Sequence, residues 1–380
     1  MNKKEIKVLE VNVSDRGNNG VYSLIRNVIQ NKPQNLNIDI ATFDKFENSK
    51  NIKELNKYNV NVIYLGSKGN KITREIKDGQ KLTQFLYKHH YDCVHVHSDV
   101  ADKLLIYGKS AKKAKVKKII FHSHASNVDG KLRWIKRLMH YCSSPFLKYI
   151  GNEFVSVSDL ASKWMYPNVS SKKIIIIKNG INLTKFRFNP VKRNSVRQRL
   201  NLQNNMIIGH VGRFEYQKNH VFLIRVFKNI LKYYPNARLL LIGEGKYKKE
   251  IEQMTKSLNI ANQVVFYGTS THVEDLLQAM DIFLLPSHFE GLPIVGVEAQ
   301  AAGLPVIFSN KVTKEAKIID TVSYLPIEDN AIPQWIRIVG KYRKLPRKDT
   351  YSLMKKKGFS IDDSVNQFVK LYEKKDKDVY

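Results

Sequence analysis

The chain has 380 residues, room for two domains of about 100–200 residues each, and its 43% hydrophobic and 26% charged composition is globular rather than disordered. Its 64 lysines and arginines against 34 acidic residues give a formal charge of +30, which favours phosphorylated ligands, anionic lipid surfaces or nucleic acid as partners. No stretch nears the ~20 apolar residues of a bilayer span, Met1 leads into a charged segment instead of a signal core, and Cys93 and Cys142 lack metal or disulfide spacing. The chain therefore reads as soluble and cytoplasmic, with free thiols.

In chain order, β-branched runs at 6–13, 154–158, 174–180, 206–212, 237–243, 264–268, 282–287 and 305–309 read as buried strands. Helix-length amphipathic segments lie at 19–31, 218–233, 246–259, 273–280 and 293–302. The alternation predicts parallel sheets made of right-handed β-α-β units. It is interrupted at 183–205, a polar and basic stretch holding Pro190, which reads as a junction. The expected architecture is α/β, with two doubly wound Rossmann-like domains facing a central cleft. Residues 1–185 form the first, 186–345 the second, and 346–380 a helical segment returning to the first. Residues 103–148 concentrate twelve basic residues against Asp129 alone. Within 132–150, cations alternate with Trp134, Ile135, Leu138, Met139 and Phe146, as in a helix lying on an anionic interface or one packed on a core.

The strongest chemical signal is the run 288–309. A strand is followed by Glu290 and Gly291, then Pro293 at a helix start, Glu298 within the helix and Gly303 at its stop. A helix beginning where a strand ends offers free amides, here Leu292, Ile294 and Val295, and a positive dipole end suited to phosphate or hydroxyl groups. Glu290 and Glu298 are either exposed or backbone-capping, or buried carboxylates whose needed donors the hydroxyls of a sugar or ribose supply. A second signal, 209–224, places Arg213 and Lys218 after a glycine-ended strand, a suitable clamp for a diphosphate. Gly17 and Gly20 follow the first strand without a GxGxxG or Walker pattern, so they serve a turn or a phosphate loop. The turn at 241–247 reads as a plain strand exit. His95 and His97 share one strand face, as do His122 and His124; each reads as a core or structural histidine or as a hydrogen-bonding group at the cleft, since no further ligands complete a zinc site. Asp376-Lys377-Asp378 is a DxD string in a charged tail, expected to be solvated.

Taken together, the glycine loop, FHSHAS, FVSVSDLASKWM, IIIIKNGINLTKF, GHVGRFEYQKN, LIGEGKY and Glu290-x7-Glu298 resemble the family 4 retaining glycosyltransferases of GT-B architecture, over nearly the whole chain. The resemblance implies that Arg213 and Lys218 bind a donor diphosphate, that Glu298 binds the ribose and that Glu290 contacts the sugar beside the amides of Gly291, Leu292, Ile294 and Val295. It also implies that His124 lies near the reacting centre, with Gly17 and Gly20 under the diphosphate. The loop reads Gly-Asn-Asn-Gly where adjacent glycines are common, and 309–318 lacks paired glycines, as in the branch that makes capsules and exopolysaccharides.

The implied reaction moves a hexose or N-acetylhexosamine from a nucleotide sugar, UDP foremost, to a hydroxyl of a lipid-linked saccharide, with retention and without a metal or other cofactor. The implied partners are that donor, the saccharide acceptor and an anionic membrane surface, with the enzyme peripheral on the inner face of the cell membrane. A nucleotide-sugar epimerase shares the two-sheet design and stands as the alternative. A basic nucleic-acid-binding protein answers to the charge alone, without a reading module, so no specific nucleic acid is expected.

Overall fold

The structure, a computed structural model, describes residues 5–16, 20–128 and 132–374. Gly17, Asp129 and Asp376-Lys377-Asp378 lie outside the described residues. Two compact units emerge: residues 1–180 joined by 361–380, and residues 181–360.

In the first unit, β1 (Ile6–Val11), β2 (Leu36–Thr42), β3 (Val62–Tyr64), β4 (Cys93–Ser98), β5 (Lys118–Ser123), β6 (Glu153–Ser156) and β7 (Ile174–Ile176) form a parallel sheet in the order β3-β2-β1-β4-β5-β6-β7. The order reverses between β1 and β4, which pair with Val8 opposite Cys93 and Val11 opposite Val96. Apolar side chains cover both faces, so β4 and β5 are buried throughout. One face packs on Leu24, Ile25, Val28 and, from the end of the chain, Ile361, Val365, Phe368 and Leu371.

In the second unit, β8 (Met206–Val211), β9 (Ala237–Ile242), β10 (Val264–Gly268), β11 (Ile282–Leu285), β12 (Val306–Ser309) and β13 (Val322–Leu325) form a parallel sheet in the order β10-β9-β8-β11-β12-β13. Here the reversal falls between β8 and β11, the point where a doubly wound sheet opens a crevice at its carboxyl ends.

Two sequence expectations need adjusting. The first unit closes at Gly180 rather than 185, and the return begins at Ile361 rather than 346. Residues 346–360 stay with the second unit, where Thr350 Oγ1 donates to the Gln300 carbonyl at 2.8 Å. The stretch 183–205 is not a bare linker. It holds helices Leu183–Phe186 and Pro190–Arg199, the latter capped by the Asn189 side chain with proline in its first turn. Asp281, at the foot of β11, ties this helix down: it receives Arg193 at 2.5 Å, Arg197 at 2.7 Å and the Ile207 amide at 2.7 Å.

Candidate active site

At the carboxyl end of β8 the chain leaves the sheet through Gly212 and Arg213 and passes Tyr216–Lys218 as a single 3-10 turn before helix His220–Ile230. This loop is moulded by the turn that follows β9. Gly243, at φ +145°, sits so close that a Cβ there would lie 2.1 Å from the Gly212 carbonyl oxygen. Phe214 N–H donates to the Glu244 carbonyl and Tyr247 N–H to the Phe214 carbonyl, each at 3.0 Å. LIGEGKY is therefore the bed of the Arg213 loop, not a plain strand exit.

From β11 the chain runs through Ser287 to Glu290 and into helix Ile294–Ala301. The two loops are stitched together, with His288 N–H donating to the Gln217 carbonyl at 2.8 Å and the His288 ring stacked on Tyr216 at 4.2 Å. Glu290 is 6% exposed, so its carboxylate needs donors inside the protein. Lys218 Nζ supplies one at 2.7 Å and Ser287 Oγ another at 2.9 Å, both to Oε1, while Gln217 Nε2 reaches Oε2 at 3.2 Å. Lys218 and Glu290, predicted as separate ligand contacts, are thus one ion pair. Arg213 stands exposed at the mouth of the same strand end, without an ion pair among the described residues.

Helix Ile294–Ala301 starts with Pro293 as its cap, so no side chain covers its first amides. Glu298 lies one turn in. Burial, then repulsion from Glu274, push its carboxyl up to about 7, with Lys185 pulling the other way. Lys185 is itself held by Glu274 at 3.0 Å. Beneath the β8 loop, burial lowers the His210 ring to about 3 while its Nδ1 meets the Leu284 carbonyl at 2.8 Å.

In the first unit a polar cluster occupies the β1/β4 reversal. His97 Nε2 lies 2.6 Å from Glu10 Oε2, and His97 Nδ1 lies 2.8 Å from His124 Nε2. Tyr372 donates its hydroxyl to Glu10 Oε1 at 2.6 Å and lies 2.8 Å from His95 Nδ1, and His95 Nε2 lies 3.2 Å from His122 Nδ1. Burial opposes the Glu10 charge, but attraction and hydrogen bonds from His95 and His97 hold its carboxyl below the usual carboxylate range. Burial keeps His97 near about 4 and His122 and His124 well below the ordinary imidazole value. Glu10 and Tyr372 escape the sequence reading, although a carboxylate inside the apolar run IKVLEVNV is the signal that marks Glu10. Gly20 opens helix Gly20–Asn31 at the surface.

Among the described residues, donors of His95, His97 and His122, and of His272, Glu274 and Asp275, come within 4.8 Å of one another, close enough for a metal ion. In the first group the nitrogens of His95 and His97 are already engaged by Glu10, Tyr372, His122 and His124. In the second, Glu274 is engaged by Lys185.

Residues 192–344 match the family model described as glycosyl transferases group 1. EpsF of Bacillus subtilis is 29% identical over 59% of both chains. The UDP-Gal:alpha-D-GlcNAc-diphosphoundecaprenol alpha-1,3-galactosyltransferase of Escherichia coli is 27% identical over 63% of both. The chain thus spans less than two thirds of the length of either relative. A Vi polysaccharide biosynthesis protein of Salmonella typhi, VipC/TviE, is 32% identical over 43% of this chain and 30% of its own length. Among solved structures, Anabaena HepE in complex with UDP and glucose superposes with a TM-score of 0.78 at 15% identity, covering 97% of this chain and 99% of its own. WaaG, a glycosyltransferase involved in lipopolysaccharide biosynthesis, gives 0.71 at 15% identity, covering 97% of this chain and 100% of its own. The chain thus has the fold of the GT-B glycosyltransferase structures, and its residues 192–344 match the family model of glycosyl transferases group 1.

Proposed function

We propose that the protein is a retaining glycosyltransferase that moves a hexose or N-acetylhexosamine from UDP to a hydroxyl of a lipid-linked saccharide in surface-polysaccharide synthesis. The observation that carries the reading is the Lys218–Glu290 pair at the β8/β11 reversal, beside the open start of helix Ile294–Ala301 and the exposed Arg213. As the bond to the sugar breaks, negative charge grows on the departing diphosphate. Arg213, Lys218 and the amides of Leu292, Ile294 and Val295 meet that charge, stabilising the transition state above the ground state. Lys218 is held by Glu290 until the diphosphate competes for it. Glu298 accepts the ribose hydroxyls and Glu290 the sugar's, while His124 in the first unit serves a saccharide hydroxyl. Gly291 keeps the backbone close to the donor. The cations do the work of charge neutralisation, so the reading assigns no metal.

A UDP-sugar donor is supported by the E. coli relative, whose name specifies UDP-Gal and a diphosphoundecaprenol-linked sugar, and by HepE, solved with UDP and glucose. The Vi polysaccharide relative supports the polysaccharide setting. Membrane attachment at the inner face rests on helix Arg133–Ser143 and the turn after it: Leu132, Trp134, Leu138, Tyr141, Phe146 and Tyr149 are all exposed. The same segment carries Arg133, Lys136, Arg137 and Lys148, and such a basic, aromatic face suits an anionic bilayer surface. Among the described residues no helix is long and apolar enough to cross a membrane.

The test is a panel of labelled UDP-sugars with polyprenyl-diphosphate saccharides, in EDTA. Label should enter the acceptor, and Lys218→Ala should lower kcat about 100-fold with the fold intact by circular dichroism. An isomerised free donor, or full transfer by Lys218→Ala, would overturn the reading.

A further inference from the structure

The hydrogen bonds around Glu10 form a chain whose direction is determined at one end. An ionised carboxylate accepts and never donates. His97 Nε2, 2.6 Å from Glu10 Oε2, must therefore carry a proton. His97 is buried, and a neutral ring with its proton on Nε2 has a bare Nδ1. That bare nitrogen lies 2.8 Å from His124 Nε2, which must then be the donor. His124 in turn keeps an unprotonated Nδ1, and that nitrogen has no protein partner among the described residues.

The second branch runs in the same sense. Tyr372 spends its proton on Glu10 Oε1, so its oxygen accepts from His95 Nδ1–H. His95 Nε2 then accepts from His122 Nδ1–H, which leaves His122 Nε2 a lone pair. His122 Nε2 is indeed buried with no partner. An orphaned acceptor there is a milder outcome than an orphaned N–H.

We propose that Glu10 and His97 are positioning residues that hold His124 as the Nε2–H tautomer, so that it presents a hydrogen-bond acceptor to a saccharide hydroxyl. The carboxylate acts two side chains away, and the Tyr372 hydroxyl locks it from the C-terminal helix. A ligand group that itself only accepts, such as a phosphate oxygen or a carboxylate, is repelled at this point. The inference deepens the transferase reading, since it takes the ligand of His124 to be a sugar.

Imidazole nitrogen NMR of the full-length, nitrogen-15-labelled protein at neutral pH tests the tautomer without reference to activity. The His124 resonances, identified by their loss in His124→Gln, should show a proton on Nε2 and none on Nδ1. A proton on Nδ1, or on both nitrogens, overturns the proposal. Kinetics test the consequence. His97→Ala should lower kcat about tenfold or more through loss of ring alignment, with UDP affinity within about twofold of the parent. Tyr372→Phe keeps the ring packing and should lower kcat in the same direction, giving a second measurement should His97→Ala fail to fold. An unchanged kcat in both folded variants, or a UDP affinity that falls in step with kcat, overturns it. If the parent protein transfers no sugar at all, the transferase reading has failed, and the NMR result still decides the tautomer.

Discussion

Glu298 carries the clearest pH signature of any single side chain in the second unit. Its carboxyl, ordinarily at 4.5, is pushed up to about 7 in the folded chain, by burial first and by Glu274 second. Below 4.5 folded and unfolded chains are both protonated, and no difference arises. Between 4.5 and 7 the folded chain binds the extra proton, so stability falls as pH rises, by about 3 kcal/mol once above the folded value. Urea unfolding at pH 5 and pH 8 should show this loss in the parent protein and its absence in Glu298→Gln. Equal losses in both would refute the assignment. Nucleotide binding should run the other way, because a ribose diol needs the ionised acceptor: UDP affinity of the parent should strengthen across pH 7. The chemistry of such residues was partly legible in sequence. Glu290 and Glu298 stand out because charges are scarce in that apolar run. The pairing of Lys218 with Glu290 was not, because it depends on two loops meeting 72 residues apart. Nor was the Glu10 cluster, which needs a strand register and a tyrosine from the other end of the chain.

Among the elements, helix Arg133–Ser143 is unusual in which side it turns to solvent. Its anchor is His140, fully buried, stacked on Trp164 at 3.7 Å and bonded to the Ala101 amide and Trp164 carbonyl. Trp134 and Leu138, by contrast, are 68% and 58% exposed, so they contribute little to the fold. Replacing both by serine should leave the melting temperature within about 2 °C, since surface changes usually lie within ±0.5 kcal/mol. It should weaken flotation with vesicles of anionic lipid about tenfold. A lowered melting temperature with unchanged flotation would make the helix face structural instead. The same contrast explains which elements the sequence discloses. β8, β9 and β11 lie inside the sheet and read as unbroken apolar runs. β2, LNIDIAT, β4, CVHVHS, and β5, KIIFHS, carry polar residues, and β3 and β13 are short edge strands, so the search for apolar runs passes over all five, with only the histidine pairs hinting at β4 and β5. Pro190 and a run of cations suggest a linker, but Arg193 and Arg197 are the feet of a docked helix, which only the position of Asp281 reveals.

For the molecule as a whole, the return of Ile361–Glu373 to the first unit is structural rather than decorative. Ile361, Val365, Phe368, Leu371 and Tyr372 are buried there, each worth about 1.5–3 kcal/mol on burial, against a total stability of about 5–15 kcal/mol for a typical domain. Lys118 Nζ donates to the carbonyls of Leu371 and Lys374, and Lys374 pairs with Glu153 at 2.8 Å. A chain truncated after Ser360 should therefore lose the cooperative melting of its first unit while the second unit, residues 181–360, still unfolds as a block. Calorimetry showing both transitions intact would count against that. The two-sheet plan was visible from alternation alone, and the helical tail was expected to fold back, but the placement of the crossover at 360/361 required the packing of Thr350 and its neighbours.

The span from Glu10 to Tyr372 also sets an order of events during synthesis. As the ribosome delivers the polypeptide from its amino end, the nascent second unit has all its strands before the first receives its last helix. Glu10 and its histidines must wait, incompletely shielded, until a residue 362 positions downstream is translated. Closure of the histidine cluster thus trails the folding of residues 181–360, so a product released before Tyr372 would carry a folded second unit and an unfinished cluster around Glu10.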